Sequence, residues 1–134
     1  MKVLKFGGTS VANAENISKV INILKAGDQK EKLVVVVSAL GGTTDTLLEA
    51  GSFAKNGNSG YINSFKTIET RHIETVRALI PIDKQSGVLG GLKKILNELE
   101  NTLEGISLLR ELSIKTHDKI VSFGERLSSY IVFN

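Results

Sequence analysis

Residues 33–37 read LVVVV, one leucine and four consecutive valines. β-branched side chains are stiff at χ1 and pack well on a pleated surface, so the run predicts a strand. It is apolar at every position instead of alternating. A strand of that kind is expected to be covered on both faces, as in a parallel sheet. Upstream of the charged loop DQKEK (28–32), the opening MKVLKF predicts a first short strand over 2–6. Between the two strands, Ile17, Val20, Ile21 and Leu24 share one helical face. Asn13 is placed to cap that helix and Gly27 to stop it, giving a helix from about 13 to 26. Strand, helix and strand within 38 residues make a βαβ unit with parallel strands, and the fold class is α/β.

Downstream the pattern turns helical. Thr43 or Thr44 is expected to cap a short helix carrying Leu47, Leu48, Gly51 and Ala54, which fades at NGNSG (56–60). Ile62, Phe65, Ile68, His72, Val76 and Leu79 then recur at helical spacing. Pro81 and Asp83 are read as breaking that helix, and Leu89, Leu92, Ile95, Leu96, Leu99 and Leu103 mark the next. Residues 61–80 and 86–104 therefore read as an antiparallel helical hairpin. The leucine stripe holds no heptad for long enough to make a coiled coil and is assigned to the core. A last helix is expected from about Asp118 through SFGERLSSYIV, with Ile120, Leu127 and Ile131 inward and Glu125 near its start. The chain stops at Phe133-Asn134 without a cap and shows only two strands, so it is expected to be part of something longer.

Composition narrows the function classes. With 41% hydrophobic and 23% charged residues in 134, the chain can bury a core and is not a disordered segment. The net charge is +3 with both signs interspersed, which gives no basic stripe for nucleic acid. Aromatics at 5% without tryptophan leave no stacking platform for single strands. The absence of cysteine excludes disulfides and thiolate chemistry. His72 and His117 lie far apart, are expected on helix surfaces, and suggest no metal site. No apolar run reaches membrane-spanning length and no secretory leader is recognisable, so the expected compartment is the cytoplasm and no membrane partner is expected.

The chemistry concentrates at two corners. Lys5-Phe6-Gly7-Gly8-Thr9-Ser10 ends the first strand. Adjacent glycines there expose backbone N–H groups that can line a phosphate or other anion, with the Lys5 charge and two hydroxyls beside them. The plainer alternative is a tight turn with a solvated lysine. Neither the P-loop nor the dinucleotide fingerprint is present. Ser38-Ala39-Leu40-Gly41-Gly42-Thr43-Thr44-Asp45 repeats the arrangement after the second strand. In a parallel pair both loops lie at the carboxyl edge, where open α/β sheets bind ligands. Gly90-Gly91 falls inside a helical pattern and is read as a packing or helix-start feature. On spacing alone Glu125 is an exposed carboxylate pairing with Ser129, Arg126 or Lys119; beside a hydroxyl-rich basic pocket it would instead bind an ammonium group.

KFGGTSV at 5–11, SALGGTTD at 38–45 and SFGERLSS at 122–129 resemble the aspartokinases of the amino-acid kinase superfamily. The resemblance covers essentially the whole chain. The longer opening MKVLKFGGTSVANAE, with GISLLREL at 105–112, is most similar to the bifunctional aspartokinase–homoserine dehydrogenases. The resemblance implies a partial amino-acid-kinase fold, a parallel βαβ core with an added helical hairpin, three-layered (α/β/α) in the complete domain. Residues 1–134 would be the N-terminal portion of the catalytic domain, with most of the nucleotide site, the regulatory domains and any dehydrogenase domain lying beyond. It implies transfer of phosphate from ATP, supplied with Mg2+, to the side-chain carboxylate of L-aspartate, the first step towards lysine, threonine and methionine. Lys5 would neutralise charge on the transferring phosphoryl. Gly7, Gly8, Thr9 and Ser10 would line the phosphates, Ser38 and Thr44 would hold the aspartate carboxylates, and Glu125 would bind its ammonium. A homo-oligomer is expected, and the fragment alone is expected to be inactive. Two alternatives stand beside this reading: a sister kinase for glutamate or N-acetylglutamate, and a non-catalytic assembly module. The hydroxyls of Thr9 and Ser10, and a carboxylate suited to a free ammonium, argue against an N-acetylated substrate.

Overall fold

The computed structural model describes residues 1–27 and 30–134; Asp28 and Gln29 of the charged loop lie outside the described residues. The chain runs β1 (Lys2–Phe6), α1 (Ala14–Ala26), β2 (Leu33–Val37), α2 (Thr43–Lys55), α3 (Gly60–Leu79), α4 (Ile82–Leu109) and α5 (Ile114–Val132). The two strands pair in parallel, from Lys2 opposite Leu33 to Phe6 opposite Val37. α1 starts as its sequence predicts: Asn13 has an extended backbone and its Oδ1 accepts from the Asn16 N–H at 2.9 Å.

One face of the β1–β2 pair packs into a small core. Phe6, Val35 and Val37 meet Val11, Ile17, Val20, Leu40 and Val132 there, so α1 and the end of α5 share the layer. The other face is open. Val3, Val34 and Val36 are 62%, 43% and 44% exposed, which corrects the expectation that LVVVV is covered on both sides. Alternate side chains point to opposite faces of a strand, and among the described residues helices cover only one of them.

The larger core belongs to α2–α5. Leu47, Ala50, Phe65, Ile68, Val76, Leu92, Leu96, Leu99, Leu103, Ile120, Phe123, Leu127 and Ile131 are all buried in it, which places the leucine stripe in the core. α3 and α4 run antiparallel, since Tyr61 and Phe65 near the start of α3 share a hollow with Leu103 and Glu104 late in α4. α4 is longer than expected, beginning directly after Pro81. Proline is tolerated at a helix start, where its missing N–H costs no bond, and Asp83 in the first turn complements the helix dipole instead of breaking the helix. α5 also begins early because Ser113 Oγ accepts from the Thr116 N–H at 3.1 Å. Glu125 consequently lies well inside α5, not near its start.

Two further expectations change. Neither Thr43 nor Thr44 caps α2. Gly42 does so in the left-handed region (φ 82°), without a side-chain bond. Thr43 Oγ1 is buried without a partner among the described residues, and Thr46 Oγ1 donates back to the Gly42 carbonyl at 3.1 Å. His72 is fully buried and not on a helix surface, because it shares the apolar face of α3. Its Nδ1 lies 2.7 Å from the Ile68 carbonyl, and Nε2 has no partner among the described residues. Burial pushes its pKa down to about 4, with the Arg71 charge adding in the same direction against the bond to Ile68. His117 is exposed as expected. Gly91 proves to be a packing position in mid-helix: a side chain there would collide with Tyr130, whose hydroxyl donates to the Val88 carbonyl at 2.9 Å.

Candidate active site at the carboxyl edge of the strands

Parallel pairing brings both glycine loops to the same edge. The Ser38 N–H donates to the Phe6 carbonyl at 2.9 Å, carrying the ladder one residue past β2. The first loop then turns on itself: the Val11 N–H reaches the Gly7 carbonyl and the Ala12 N–H the Thr9 carbonyl, both at 3.3 Å. The Asn16 side chain also donates to Thr9 O at 2.9 Å. The loops touch through their glycines. A Cβ at Gly41 would lie 3.3 Å from the Gly8 carbonyl and 3.2 Å from the Ala12 Cβ, tighter than ordinary packing. At Gly7 a Cβ would meet nothing within 4 Å, so the backbone there borders open space.

A residue that the sequence reading passed over joins the two loops. Arg71, on α3, donates through Nη1 to the Gly41 carbonyl and through Nη2 to the Ala12 carbonyl at 2.6 Å. Burial lowers its pKa from the usual arginine value. The only sequence signal was an arginine beside the apolar face of a helix. Its partners are backbone oxygens 30 and 59 residues away, and no side-chain type marks them.

The other predicted residues distribute around this junction. Lys5 is exposed and stands opposite Val36 on the open face. Among the described residues no ion pair engages it. Gly7, Thr9 and Ser10 are exposed and Gly8 is half-buried. Ser38 is half-buried directly after β2, and Thr44 is half-buried in the first turn of α2. α5 comes in through Gly124, where a Cβ would stand 2.7 Å from the Ala39 Cβ and 3.4 Å from Leu47.

Glu125 follows Gly124 in sequence and is exposed. The expected pairing with Ser129, Arg126 or Lys119 does not form. Glu98 of α4 takes both cations instead, Arg126 at 2.7 Å and Lys119 at 3.6 Å. The hydrogen bond from Arg126 holds the Glu98 carboxyl below its ordinary pKa. Arg126 also lies over the Phe123 ring, 4.6 Å from its centroid. Among the described residues Glu125 is left without an ion-pair partner.

A surface hollow of about 650 Å3 lies elsewhere, between Ser18, Asn22, Leu79, Lys84 and Val132, and none of the residues above line it. Among the described residues no three His, Cys, Asp or Glu side chains gather to hold a metal, and no helix is long and apolar enough to cross a membrane.

The sequence profile of the amino acid kinase family matches residues 1–133. The chain belongs to that family. It is 40% identical over 132 residues to "Aspartokinase 1, chloroplastic" of Arabidopsis thaliana, covering 96% of this chain and 22% of that one. It is 33% identical to the "Bifunctional aspartokinase/homoserine dehydrogenase" of Buchnera aphidicola, covering 98% of this chain and 16% of the relative. Among solved structures, that of Clostridium acetobutylicum aspartate kinase superposes with a TM-score of 0.74 at 28% identity, over 96% of this chain and 27% of its own. Escherichia coli aspartokinase III in complex with lysine and aspartate superposes with a TM-score of 0.80 over 97% of this chain and 27% of its own; at 24% identity this speaks for the fold alone. This family member thus spans about a fifth of the length of the Arabidopsis relative.

Proposed function

We propose that this chain contributes the amino-acid and phosphate half of an aspartate kinase site. The reaction is attack of the side-chain carboxylate oxygen of L-aspartate on the γ-phosphorus of ATP. A new O–P bond forms, the bond to the leaving ADP oxygen breaks, and the product is 4-phospho-L-aspartate. The observation that carries the reading is the junction of two Gly-Gly loops at one strand edge, with the exposed Lys5 at the end of β1 and α5 packed against the second loop. Relatives named as aspartokinases, aligned over nearly the whole chain, support it.

A carboxylate is already deprotonated at neutral pH, so the transfer needs no general base from the protein. Positioning and stabilisation of charge do most of the work. In this reading Lys5 offsets charge on the transferring phosphoryl, and the N–H groups of Gly7 and Gly8 line the phosphates with the hydroxyls of Thr9 and Ser10. Ser38 and Thr44 hold the carboxylates of aspartate, and Glu125 receives its ammonium. The missing partner of Glu125 supports that role, because a carboxylate already neutralised by Arg126 would attract an ammonium weakly. Mg2+ enters with the nucleotide as part of the substrate. We further propose that residues 1–134 are the N-terminal part of a longer catalytic domain and are inactive alone, that the compartment is the cytoplasm, and that the protein self-associates. Exposed Val3, Val34 and Val36 favour association.

Hydroxamate trapping of the acyl phosphate tests the reading. The complete protein that carries these residues, given Mg·ATP and a panel of amino acids, should yield product with aspartate. The 1–134 chain run beside it should yield none. Product with a different acid, or none with any acid from folded protein, overturns the assignment.

A further inference from the structure

We propose that Arg71 is a positioning residue that locks the two glycine loops into one binding surface, so that phosphate and amino-acid recognition depend on it together. The proposal rests on the kinase reading above for its chemistry and on the hydrogen bonds of Arg71 for its geometry.

Three observations carry it. The guanidinium is partly buried and bonds two carbonyls, Gly41 O and Ala12 O, one from each loop. No carboxylate among the described residues pairs with it, although a cation withdrawn from water ordinarily finds one. Its charge therefore remains uncancelled at the loops. The third observation concerns the peptide planes. Every peptide bond among the described residues is trans, so each N–H points opposite to the C=O of its own unit. Holding the Gly41 and Ala12 carbonyls toward Arg71 turns the N–H groups of Gly42 and Asn13 away from it. Neither N–H donates to any atom of the described residues. One side chain thus sets the direction of two free donors and fixes the spacing of the loops that carry them. Arginine suits this role because its planar fork reaches two acceptors at once, which a lysine ammonium on a flexible stem does not reproduce.

The test compares wild type, Arg71→Lys and Arg71→Ala in the complete protein, by acyl-phosphate kinetics and by hydrogen–deuterium exchange of peptides spanning 7–13 and 38–44. In Arg71→Ala, kcat/KM should fall about 30-fold for aspartate and for Mg·ATP alike, with added guanidinium restoring part of the loss. Arg71→Lys should lose about 5-fold on both substrates, and both loops should exchange faster together. Unchanged KM for both substrates with only a smaller active fraction would mean a purely structural arginine and would overturn the proposal. If Arg71→Ala does not fold, Arg71→Lys decides by the same criteria. If wild type forms no acyl phosphate, the kinase reading falls, and the exchange data alone judge this inference: faster exchange in one loop only, or in neither, overturns it.

Discussion

A side-chain carbon placed on Gly124 would stand 2.7 Å from the Cβ of Ala39, well inside the 3.5–4.0 Å at which carbon atoms pack. Glycine at 124 is what lets α5 lie against the turn that follows β2. Glu125 is the next residue along the same helix and is exposed.

Gly124→Ala should therefore destabilise the protein by about 1–3 kcal/mol through overpacking. It should also raise the KM for aspartate by pushing α5 outward. Adding Ala39→Gly to the same chain should recover much of both effects, since the two carbons collide with each other. Urea unfolding of the single and double variants measures the coupling. Additive losses would show that the two positions do not meet.

In its proposed role Lys5 offsets charge on the phosphoryl group, so Lys5→Met should lower kcat roughly 100-fold, on the order of 3 kcal/mol. Lys5 is exposed and has no ion-pair partner among the described residues, so the unfolding free energy should stay within about 0.5 kcal/mol of wild type. A large drop in stability together with unchanged kcat would remove Lys5 from the site.

Glu125→Gln should act on aspartate alone. Losing a charge-assisted bond to an ammonium costs about 1.5–3 kcal/mol, or roughly a 10- to 100-fold rise in the KM for aspartate. The KM for ATP and the thermal midpoint should not move, since no ion pair of the described residues includes this carboxylate. Steady-state kinetics with each substrate varied in turn decides the point.

His72 makes a prediction about acid. Its folded pKa is about 4 against an ordinary value of 6.5, so between those values the unfolded chain binds more protons than the folded one. The contribution of neutral, buried His72 is fully present above pH 6.5 and is lost as pH falls towards 4. At pH 5 the loss should be about 2 kcal/mol. His72→Leu should flatten this part of the stability profile. An unchanged slope in that variant would assign the acid sensitivity to other groups.

Most of the elements were legible because their causes are local. The apolar spacing of α1, its Asn13 cap and the valine run of β2 each depend on residues a few positions apart, and they form where the sequence places them. The glycine loops were legible for the same reason, as was their shared edge, which follows from parallel pairing. The end points of α4 and α5 were less so. Pro81 and Asp83 read as breakers but are also good helix-start residues, and only the folded backbone, where the Lys84 N–H donates to the Pro81 carbonyl at 2.9 Å, shows which role applies.

The sequence by itself thus determined the βαβ unit, the antiparallel hairpin and the two loops where charge and bare backbone coincide. Tertiary structure decided that one face of β2 stays open, that His72 is buried, that Glu98 draws Arg126 and Lys119 away from Glu125, and that Arg71 joins the loops. The physical reason is the nature of the partners. Local elements are written in side-chain periodicity, which a sequence displays. The acceptors of Arg71 are backbone carbonyls, identical at every residue, and only folding selects which two face a guanidinium.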